Sequence, residues 1–317
     1  MSGTHPDAAG GPFRHPALFY RGRAEYLAGT VPFVAEGVAA GEPVAVAVPA
    51  WRLGPLRDAV AGRLGSGARR VHWVDMTRAG RNPGRIIPGV LRAFADRHPG
   101  RRVRIVGEPI WPSRSEAEYP ACAQHEALIN PAFAGRAVSI LCPYDASGLD
   151  RRVLDEAART HPVLIDAAGT RASDRYAPET VVAAHNVPLP APPESAGRMP
   201  FDLGSLEASR AFAARCAAGA GMPERRVMSV ELAVSELTAN SVRHGGGAGV
   251  LAVWDDGAHV IVEVRDGGHL ADPLAGRRPV PPDEPGGRGL LLVNRLADLV
   301  RVHTGAGGTT VRAYFAR

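Results

Sequence analysis

The 317-residue chain contains no lysine, so arginine supplies all 37 of its basic side chains. This absence excludes the sites that need a lysine amine, namely a GxxxxGK[ST] phosphate-binding loop and a Schiff-base lysine. Cysteine is also scarce, and the three cysteines show neither the spacing of a zinc site nor a disulfide framework. We therefore expect a protein of a reducing compartment that uses neither disulfides nor amine chemistry.

Long apolar runs and clustered charge are missing as well. No apolar run approaches the roughly 20 residues needed to cross a bilayer, and the first residues lack the apolar core of a signal peptide. The net charge of +5 is spread along the chain, whereas a nucleic-acid-binding face needs clustered charge with interleaved aromatics. We expect a cytoplasmic protein that binds neither a membrane nor nucleic acid directly.

Helical patterns and buried-strand patterns alternate between Tyr20 and Asp166. This alternation predicts an α/β domain in which helices cover a mostly parallel sheet. Such sheets bind ligands beyond the carboxyl ends of their strands. Polar or unusual residues stand at or near these predicted ends and form a candidate sensory pocket: Tyr20, Glu108, Trp111, Cys142, Tyr144 and Asp145.

The same stretches carry a family resemblance. The segments HPALFY, EGVAAGEPVAVAVP, GEPIW and LCPYD, between residues 12 and 164, are similar to the MEDS sensory domain. The resemblance implies a RecA-like core without a phosphate-binding loop, which agrees with the missing lysine. It also implies that the domain senses a small organic molecule.

One segment of this domain resembles a histidine-kinase phosphoacceptor box, because His125-Glu126 is followed by Asn130-Pro131. That box lies on the first helix of a long helical hairpin. Here Pro131 is expected to end the helix, and a predicted strand follows within a few residues. We interpret His125 as an ordinary helix residue, with an atypical sensor histidine kinase as an alternative.

A proline-rich segment, NVPLPAPPESAGRMP, follows at residues 186–200. Its composition predicts an extended, semi-rigid connection. We place the linker at residues 191–200, between a sensory domain at 12–190 and a second domain at 201–317.

The second domain begins with helical patterns, and its longest helix contains ELAVSELTANSVRHG, from Glu231 to Gly245. Apolar residues at spacings of three and four predict one buried face. Glu236 and Asn240 lie four residues apart and so share another face, which on its own is typical of a solvated surface. Further along, a predicted strand ends at Asp266, and the glycine-rich run from Gly286 leads into an apolar helix whose first amides suit an anion.

In this order, E-x-x-x-N, D-x-G, G-x-G-L and G-[TX]-T resemble the GHKL ATPase fold, which gyrase, histidine kinases and anti-sigma-factor serine kinases share. The resemblance covers about Phe201 to Arg317 and implies an α/β sandwich with a mainly antiparallel sheet. The segments SELTANSVRHG and GGRGLLLVNRLAD, and the short lid predicted at Leu270–Gly287, are most similar to the anti-sigma-factor serine kinases.

The resemblance implies a role for each matching residue. Glu236 would be the general base, Asn240 would coordinate Mg²⁺, and Asp266 would accept a hydrogen bond from the adenine amino group. The other implied nucleotide-binding residues are Gly268, Gly287, Arg288, Gly289, Leu290 and Thr310. One position departs from the family pattern D-x-G-x-G, because Leu270 replaces the second glycine.

These resemblances predict a cytoplasmic bacterial signalling regulator with ATP and Mg²⁺ as cofactors. We expect it to phosphorylate a serine of an anti-sigma antagonist under the control of its sensory domain. Its partners would be a sigma factor or that antagonist, and the family likeness favours a homodimer. The alternative from another class is a non-catalytic module that binds ATP and sequesters a protein partner.

Overall fold

The computed structural model describes residues 13–280 and 286–317. They form two compact units, the first of residues 13–81 and Ile86–His185, the second of Asn82–Arg85 and Asn186–Arg317. Residue 12 of the predicted sensory domain and residues 281–285 of the predicted lid lie outside the described residues. In the described part of the chain, no helix combines the length and the apolar character needed to cross a membrane.

The first unit is built on a seven-stranded sheet with the order β3-β2-β4-β5-β1-β6-β7. Its strands are β1 (Pro16–Tyr20), β2 (Val44–Val48), β3 (Val71–Asp75), β4 (Val103–Gly107), β5 (Val138–Asp145), β6 (Val163–Asp166) and β7 (Gly169–Ala172). All neighbouring strands are parallel except β6 and β7. The predicted helix-covered, mostly parallel sheet is therefore confirmed.

Helices connect these strands, as parallel pairing requires. They are α1 (Gly22–Ala39), α2 (Ala50–Leu64), α3 (Met76–Ala79), α4 (Ala93–Ala95, entered by a π-helical segment at Ile87–Arg92), α5 (Tyr119–Phe133), α6 (Arg151–Thr160) and α7 (Pro178–Ala184). The expectation that Pro131 ends its helix is wrong, because α5 continues to Phe133 with Pro131 inside it.

The second unit contains a five-stranded antiparallel sheet with the order β11-β12-β10-β9-β8. Its strands are β8 (Gly197–Asp202), β9 (Ala248–Asp255), β10 (His259–Asp266), β11 (Leu299–Gly305) and β12 (Gly308–Ala316). Its helices are α8 (Leu206–Gly219), α9 (Glu224–His244) and α10 (Gly289–Leu296). The predicted antiparallel sandwich is confirmed. Strand β8 begins inside the segment that the proline content predicts as linker.

The three helices cover one face of this sheet, and the apolar face of α9 forms the centre of the core between them. Val230, Val234 and Leu237 are buried with Val262, Val264 and other strand residues in one core. The spacing of three and four in the sequence thus places the apolar side of α9 on the sheet and leaves Glu236 and Asn240 only half-buried. This packing fixes where the polar pair stands.

The opposite face of β10 is covered too, although the alternation in its sequence predicts a sheet that is covered on one face. Glu263 and Arg312 are both more than nine-tenths buried there, and the Arg312 Nε donates to the Glu263 carboxylate at 2.8 Å. Arg312 also donates to the backbone carbonyl of Pro190 and lies 5.0 Å from the centre of the Trp254 ring. The proline-rich segment therefore contacts this polar face.

This ion pair makes a stability prediction. Arg312→Met leaves the Glu263 carboxylate buried without its cation, so the free energy of unfolding should fall by about 3–5 kcal/mol. The double variant Glu263→Leu/Arg312→Met should cost far less, because a matched apolar pair removes both buried charges. Urea unfolding measures both values. A double variant as unstable as Arg312→Met would contradict this account.

Candidate functional site

A cavity of about 490 Å³ lies in the second unit. The end of α9, the end of β10, the start of α10 and the start of β12 enclose it. Its apolar walls are Leu237, Val264, Leu290 and Val311. Asn240, Asp266 and backbone of the glycines around them supply polar groups at its edges. The cavity therefore combines apolar walls with the carboxylate of Asp266.

Asp266 is held in a single orientation by two donors. Its Oδ2 accepts from the Ser241 hydroxyl at 2.6 Å, and its Oδ1 accepts from the Gly268 backbone N–H at 2.8 Å. Each carboxylate oxygen has a second lone pair, so Asp266 can still accept a hydrogen bond from a ligand amino group. The carboxylate is thereby fixed before any ligand arrives.

Glycines allow the backbone around Asp266 to come this close. A Cβ on Gly268 would lie 2.6 Å from the His244 carbonyl oxygen, and a Cβ on Gly245 would overlap the Asp266 carboxyl. Gly308 has a φ of +105° and abuts the Asp266 backbone carbonyl, where a Cβ would also overlap. These positions need glycine for space, and Gly308 needs it for its left-handed conformation as well.

Glu236 and Asn240 meet the first residue of α10. A Cβ on Gly289 would lie 2.7 Å from the Glu236 Oε2 and 3.0 Å from the Asn240 Nδ2. The two side chains therefore stand beside the amino end of the helix, where unpaired backbone N–H groups favour an anion. Asn240 lines the cavity, whereas Glu236 lies just behind it.

The glycines before α10 shape the other end of the cavity. Gly286 and Gly287 have φ values of +85° and +71°, and Gly287, Gly289 and Leu290 line the cavity. Arg288 is the residue before the first helical turn but is not part of the cavity wall. The candidate phosphate-binding residues thus gather at one place, with Arg288 beside them.

Thr309 lines the cavity, whereas Thr310, to which the resemblance assigns the adenine contact, does not. Thr309 pairs with Asp266 across β10 and β12, whereas Thr310 pairs with Arg265. Because side chains alternate along a strand, Thr310 points to the opposite face of the sheet. The Thr309 hydroxyl donates to the Gly268 carbonyl at 3.0 Å, so it also holds the loop after Asp266.

Leu270, which departs from the family pattern, belongs to the cavity wall. Its backbone N–H donates to the Thr304 hydroxyl on β11 at 3.0 Å. The loop after β10 is therefore anchored at the position where the family pattern has a second glycine. This hydrogen bond holds the first residue of the segment predicted as a lid.

In the first unit, three of the candidate sensory residues lie together at the carboxyl ends of β1, β4 and β5. The buried Glu108 accepts from the Tyr20 hydroxyl at 3.3 Å and from the Tyr26 hydroxyl at 3.2 Å. Arg52 donates to the Tyr20 hydroxyl at 2.8 Å and to Asp145 at 3.3 Å. Burial raises the pKa of Glu108 to about 8, and the nearby Arg52 and the tyrosine hydroxyls offset only part of this rise.

The other candidate sensory residues make different contacts. Trp111 packs edge-on against Trp51, with ring centres 6.0 Å apart. Cys142 and Tyr144 alternate with Asp145 along β5, so they face away from Glu108, and the Tyr144 hydroxyl donates to Glu126 at 3.0 Å. His125 on α5 is 1% exposed, and β5 is the next element, so neither the accessibility nor the hairpin of a phosphoacceptor helix is found here.

Several residues that contact Glu108 or Tyr144 are not predicted from the sequence. Arg52 and Tyr26 stand on helices that follow strands, where their spacing gives no sign of a shared contact. The sequence marks Glu126 only as the neighbour of His125 in the segment that resembles a phosphoacceptor box. The alternation of β5 was a usable signal, since residues two apart share a face and Asp145 must lie on the other.

Comparison with known proteins agrees with the division into two units. Residues 14–162 match the family described as MEDS, the methanogen/methylotroph, DcmR sensory domain. Residues 199–315 match the histidine kinase-like ATPase domain. No curated protein matches the chain.

A solved structure is also similar to the chain. It is the crystal structure of the RsbU and RsbW domains of Rv1364c from Mycobacterium tuberculosis, with 23% identity and a TM-score of 0.28. The match covers 38% of this chain and 32% of that one, so the chain spans about a third of its length. A likeness of this extent carries no argument about activity.

The pKa of Glu108 predicts a pH dependence of stability. A carboxyl whose pKa is raised on folding stabilises the folded chain below its ordinary pKa, and this contribution is lost as pH rises. Between about pH 4.5 and pH 8 the free energy of unfolding should fall, by up to about 1.4 kcal/mol per pH unit. Glu108→Gln should flatten this slope in urea unfolding followed by tryptophan fluorescence.

Glu118→Gln is the matched control for this measurement. Burial alone would raise the pKa of Glu118, but Ser115 and Arg114 hold it below its ordinary value. Its loss should therefore change stability only at more acidic pH, and the slope between pH 4.5 and 8 should stay. An unchanged slope in Glu108→Gln would show that Glu108 is not the titrating group.

Proposed function

We propose that this chain, which joins a MEDS domain to a histidine kinase-like ATPase domain, is a regulatory protein serine kinase. The second unit would bind Mg-ATP and transfer its γ-phosphoryl group to a serine of a partner protein. The first unit would bind a small organic molecule and so alter the activity of the second. ATP binding is the property that the domain type itself implies.

The observation that carries this proposal is the lining of the cavity, in which Leu237, Val264 and Val311 stand with Asp266. The apolar side chains would pack on the faces of a purine ring, and Asp266 would meet its amino group. A carboxylate accepts from an amino group but has no hydrogen to donate, so it selects adenine over a base that presents a carbonyl there. Gly268 leaves room for the ring edge.

The opposite end of the cavity suits a triphosphate. The amides of Gly287, Gly289 and Leu290 surround the start of α10, and helix starts of this kind favour phosphate oxygens. The Asn240 carboxamide faces the same space, and Mg²⁺ prefers oxygen ligands of this kind together with phosphate oxygens. Bound Mg²⁺ would neutralise charge that develops on the phosphates. Arg288 stands beside this end as a second source of positive charge.

Glu236 is the proposed general base. Its carboxylate lies next to Asn240 and Gly289, so it borders the proposed position of the phosphates. It would take the proton of the serine hydroxyl as the oxygen–phosphorus bond to serine forms and the bond to the ADP oxygen breaks. The proton then resides on Glu236 until it is released to solvent.

Asp266→Asn tests adenine recognition. The substitution keeps an oxygen for the Gly268 N–H but removes the charge-assisted bond to the base, which is worth about 1.5–3 kcal/mol. The affinity for ATP should therefore fall roughly 10–100-fold in isothermal titration calorimetry. Asp272→Asn, another carboxylate of the cavity wall, should bind ATP within about twofold of the wild type.

The same titration with and without Mg²⁺ tests the metal role of Asn240. In the wild type, Mg²⁺ should strengthen ATP binding, and in Asn240→Ala most of this gain should disappear. An Asn240→Ala chain that keeps the full gain would rule out the metal role. Equal affinities in wild type and Asp266→Asn would place the base elsewhere.

Glu236→Gln tests catalysis separately from binding. ATP affinity should stay near the wild-type value, while phosphoserine formation on a captured partner should fall at least about 100-fold, because a positioned base contributes 10²–10⁴. Glu231→Gln, a half-buried glutamate earlier on α9, should transfer at the wild-type rate. Equal phosphoryl transfer by the wild type and Glu236→Gln would contradict the assignment of Glu236 as general base. No transfer by any of the chains would favour the non-catalytic module.

The partner is proposed to be a sigma factor or the antagonist of an anti-sigma factor, and the assembly is proposed to be a homodimer. Both come from the resemblance to anti-sigma-factor serine kinases. A pull-down with the full chain and ATP identifies the partner, and analytical ultracentrifugation measures the assembly.

A further inference from the structure

Four side chains of types that can bind a metal ion converge in the interior of the first unit, away from the cluster around Glu108. They are His15 before β1, Glu126 on α5, Cys142 on β5 and His161 after α6. One donor atom of each lies within 4.8 Å of those of the other three, and all four residues are buried. We propose that these residues bind a Zn²⁺-class divalent metal ion in a four-donor site.

The distances between donors fit a tetrahedral ion. Zinc–ligand bonds of 2.0–2.3 Å place neighbouring donors roughly 3.3–3.8 Å apart. The His15 Nε2 lies 3.4 Å from the Cys142 sulfur and 3.8 Å from the Glu126 Oε2. The His161 Nε2 lies 3.1 Å from the same oxygen. Small side-chain movements around a bound ion would complete the geometry.

The outer hydrogen bonds fix how His15 presents its ring. The Asn130 amide donates to the carbonyls of Ala127 and Thr160 at 3.1 and 2.9 Å, so its oxygen must face the His15 Nδ1, 3.1 Å away. The hydrogen of a neutral His15 therefore resides on Nδ1. Its Nε2 then presents a lone pair toward the Cys142 sulfur, 3.4 Å away, as a metal-ligating histidine would toward an ion.

His161 is oriented in the same way. Its Nδ1 lies 2.8 Å from the Ala157 carbonyl oxygen, which can only accept, so Nδ1 is the donor. The Nε2 lone pair then faces the Glu126 carboxylate, and this nitrogen makes no hydrogen bond despite its burial. Two lone pairs at 3.1 Å repel each other unless a cation lies between them or beside both.

The donor set favours a cation as well. Glu126 is buried beside His15, His161 and Cys142. An ionised carboxylate in such a place costs several kcal/mol unless a positive charge compensates it.

A proton on His161 or His125 would be the competing source of positive charge. Zinc would displace such a proton when it binds. A sulfur, two imidazoles and a carboxylate are ligand types that Zn²⁺ prefers, so zinc binding itself distinguishes the two possibilities. The four donors fill a tetrahedron, so the site would be structural and would join the segment before β1 to α5, β5 and the end of α6.

The test uses the full chain without a polyhistidine tag. After chelator treatment and dialysis, Zn²⁺ should rebind at about one ion per chain by mass spectrometry of metals, and raise the temperature of unfolding. Co²⁺ should give a thiolate-to-cobalt absorption band. Cys142→Ser should abolish this band, and His161→Gln should lower zinc affinity more than tenfold.

Cys122→Ser is the matched control, because Cys122 is also a buried cysteine of this unit but lies outside the site. It should keep both the zinc and the cobalt band. Asn130→Ala, which frees the His15 ring, should weaken zinc binding roughly 10–100-fold and covers the case that the ligand variants do not fold. No zinc binding by the wild type, or binding that Cys142→Ser and His161→Gln leave intact, would overturn the proposal.

Discussion

The contact between the end of α9 and the end of β10 determines the geometry of the cavity in the second unit. The Ser241 hydroxyl binds Asp266 at 2.6 Å, and the glycines at 245, 268 and 308 allow the backbones to approach. Once Asp266 is fixed to α9, one helical face carries Glu236 and Asn240 to the start of α10. The base-binding end and the phosphate-binding end of the cavity are therefore positioned by one rigid helix.

Two buried glutamates of the first unit have pKa values shifted in opposite directions. Glu108 is surrounded by tyrosine hydroxyls, and its pKa of about 8 keeps it mostly protonated at neutral pH. Glu126 is surrounded by imidazoles, and its pKa of about 2 keeps it ionised. The difference arises from the neighbouring groups, because both carboxyls are removed from water. One unit thus contains a buried glutamate that stays protonated and another that is ionised.

Features that depend on local sequence could be predicted, and features that depend on register could not. The hairpin of β9 and β10 follows from Asp255-Asp256-Gly257, and the polar pair on α9 follows from its spacing. Which of Thr309 and Thr310 faces the cavity depends on the pairing of β12 with β10, which two adjacent threonines do not reveal. Strand β1 was missed because PALFY contains no β-branched residue, unlike the VAVAV of β2.

Glu126 and the three donors around it show the same limit more sharply, since cysteine spacing alone indicates no metal site. Local resemblance was informative where ligand-binding residues lie in short motifs, as around Asp266 and Gly289. It was weak where the fold assembles a site from single residues on separate elements. Such a site requires the sheet order and the helix packing to be known.

Strand β8 has a further consequence for the surface of the second unit. It is an edge strand of its sheet, and Pro200 lies within it. Proline in a strand is tolerated at an edge, with its missing N–H directed away from the neighbouring strand. A free sheet edge is a template for pairing with another chain, and Pro200 interrupts that template. Continuous pairing of another strand along β8 would therefore be interrupted at Pro200.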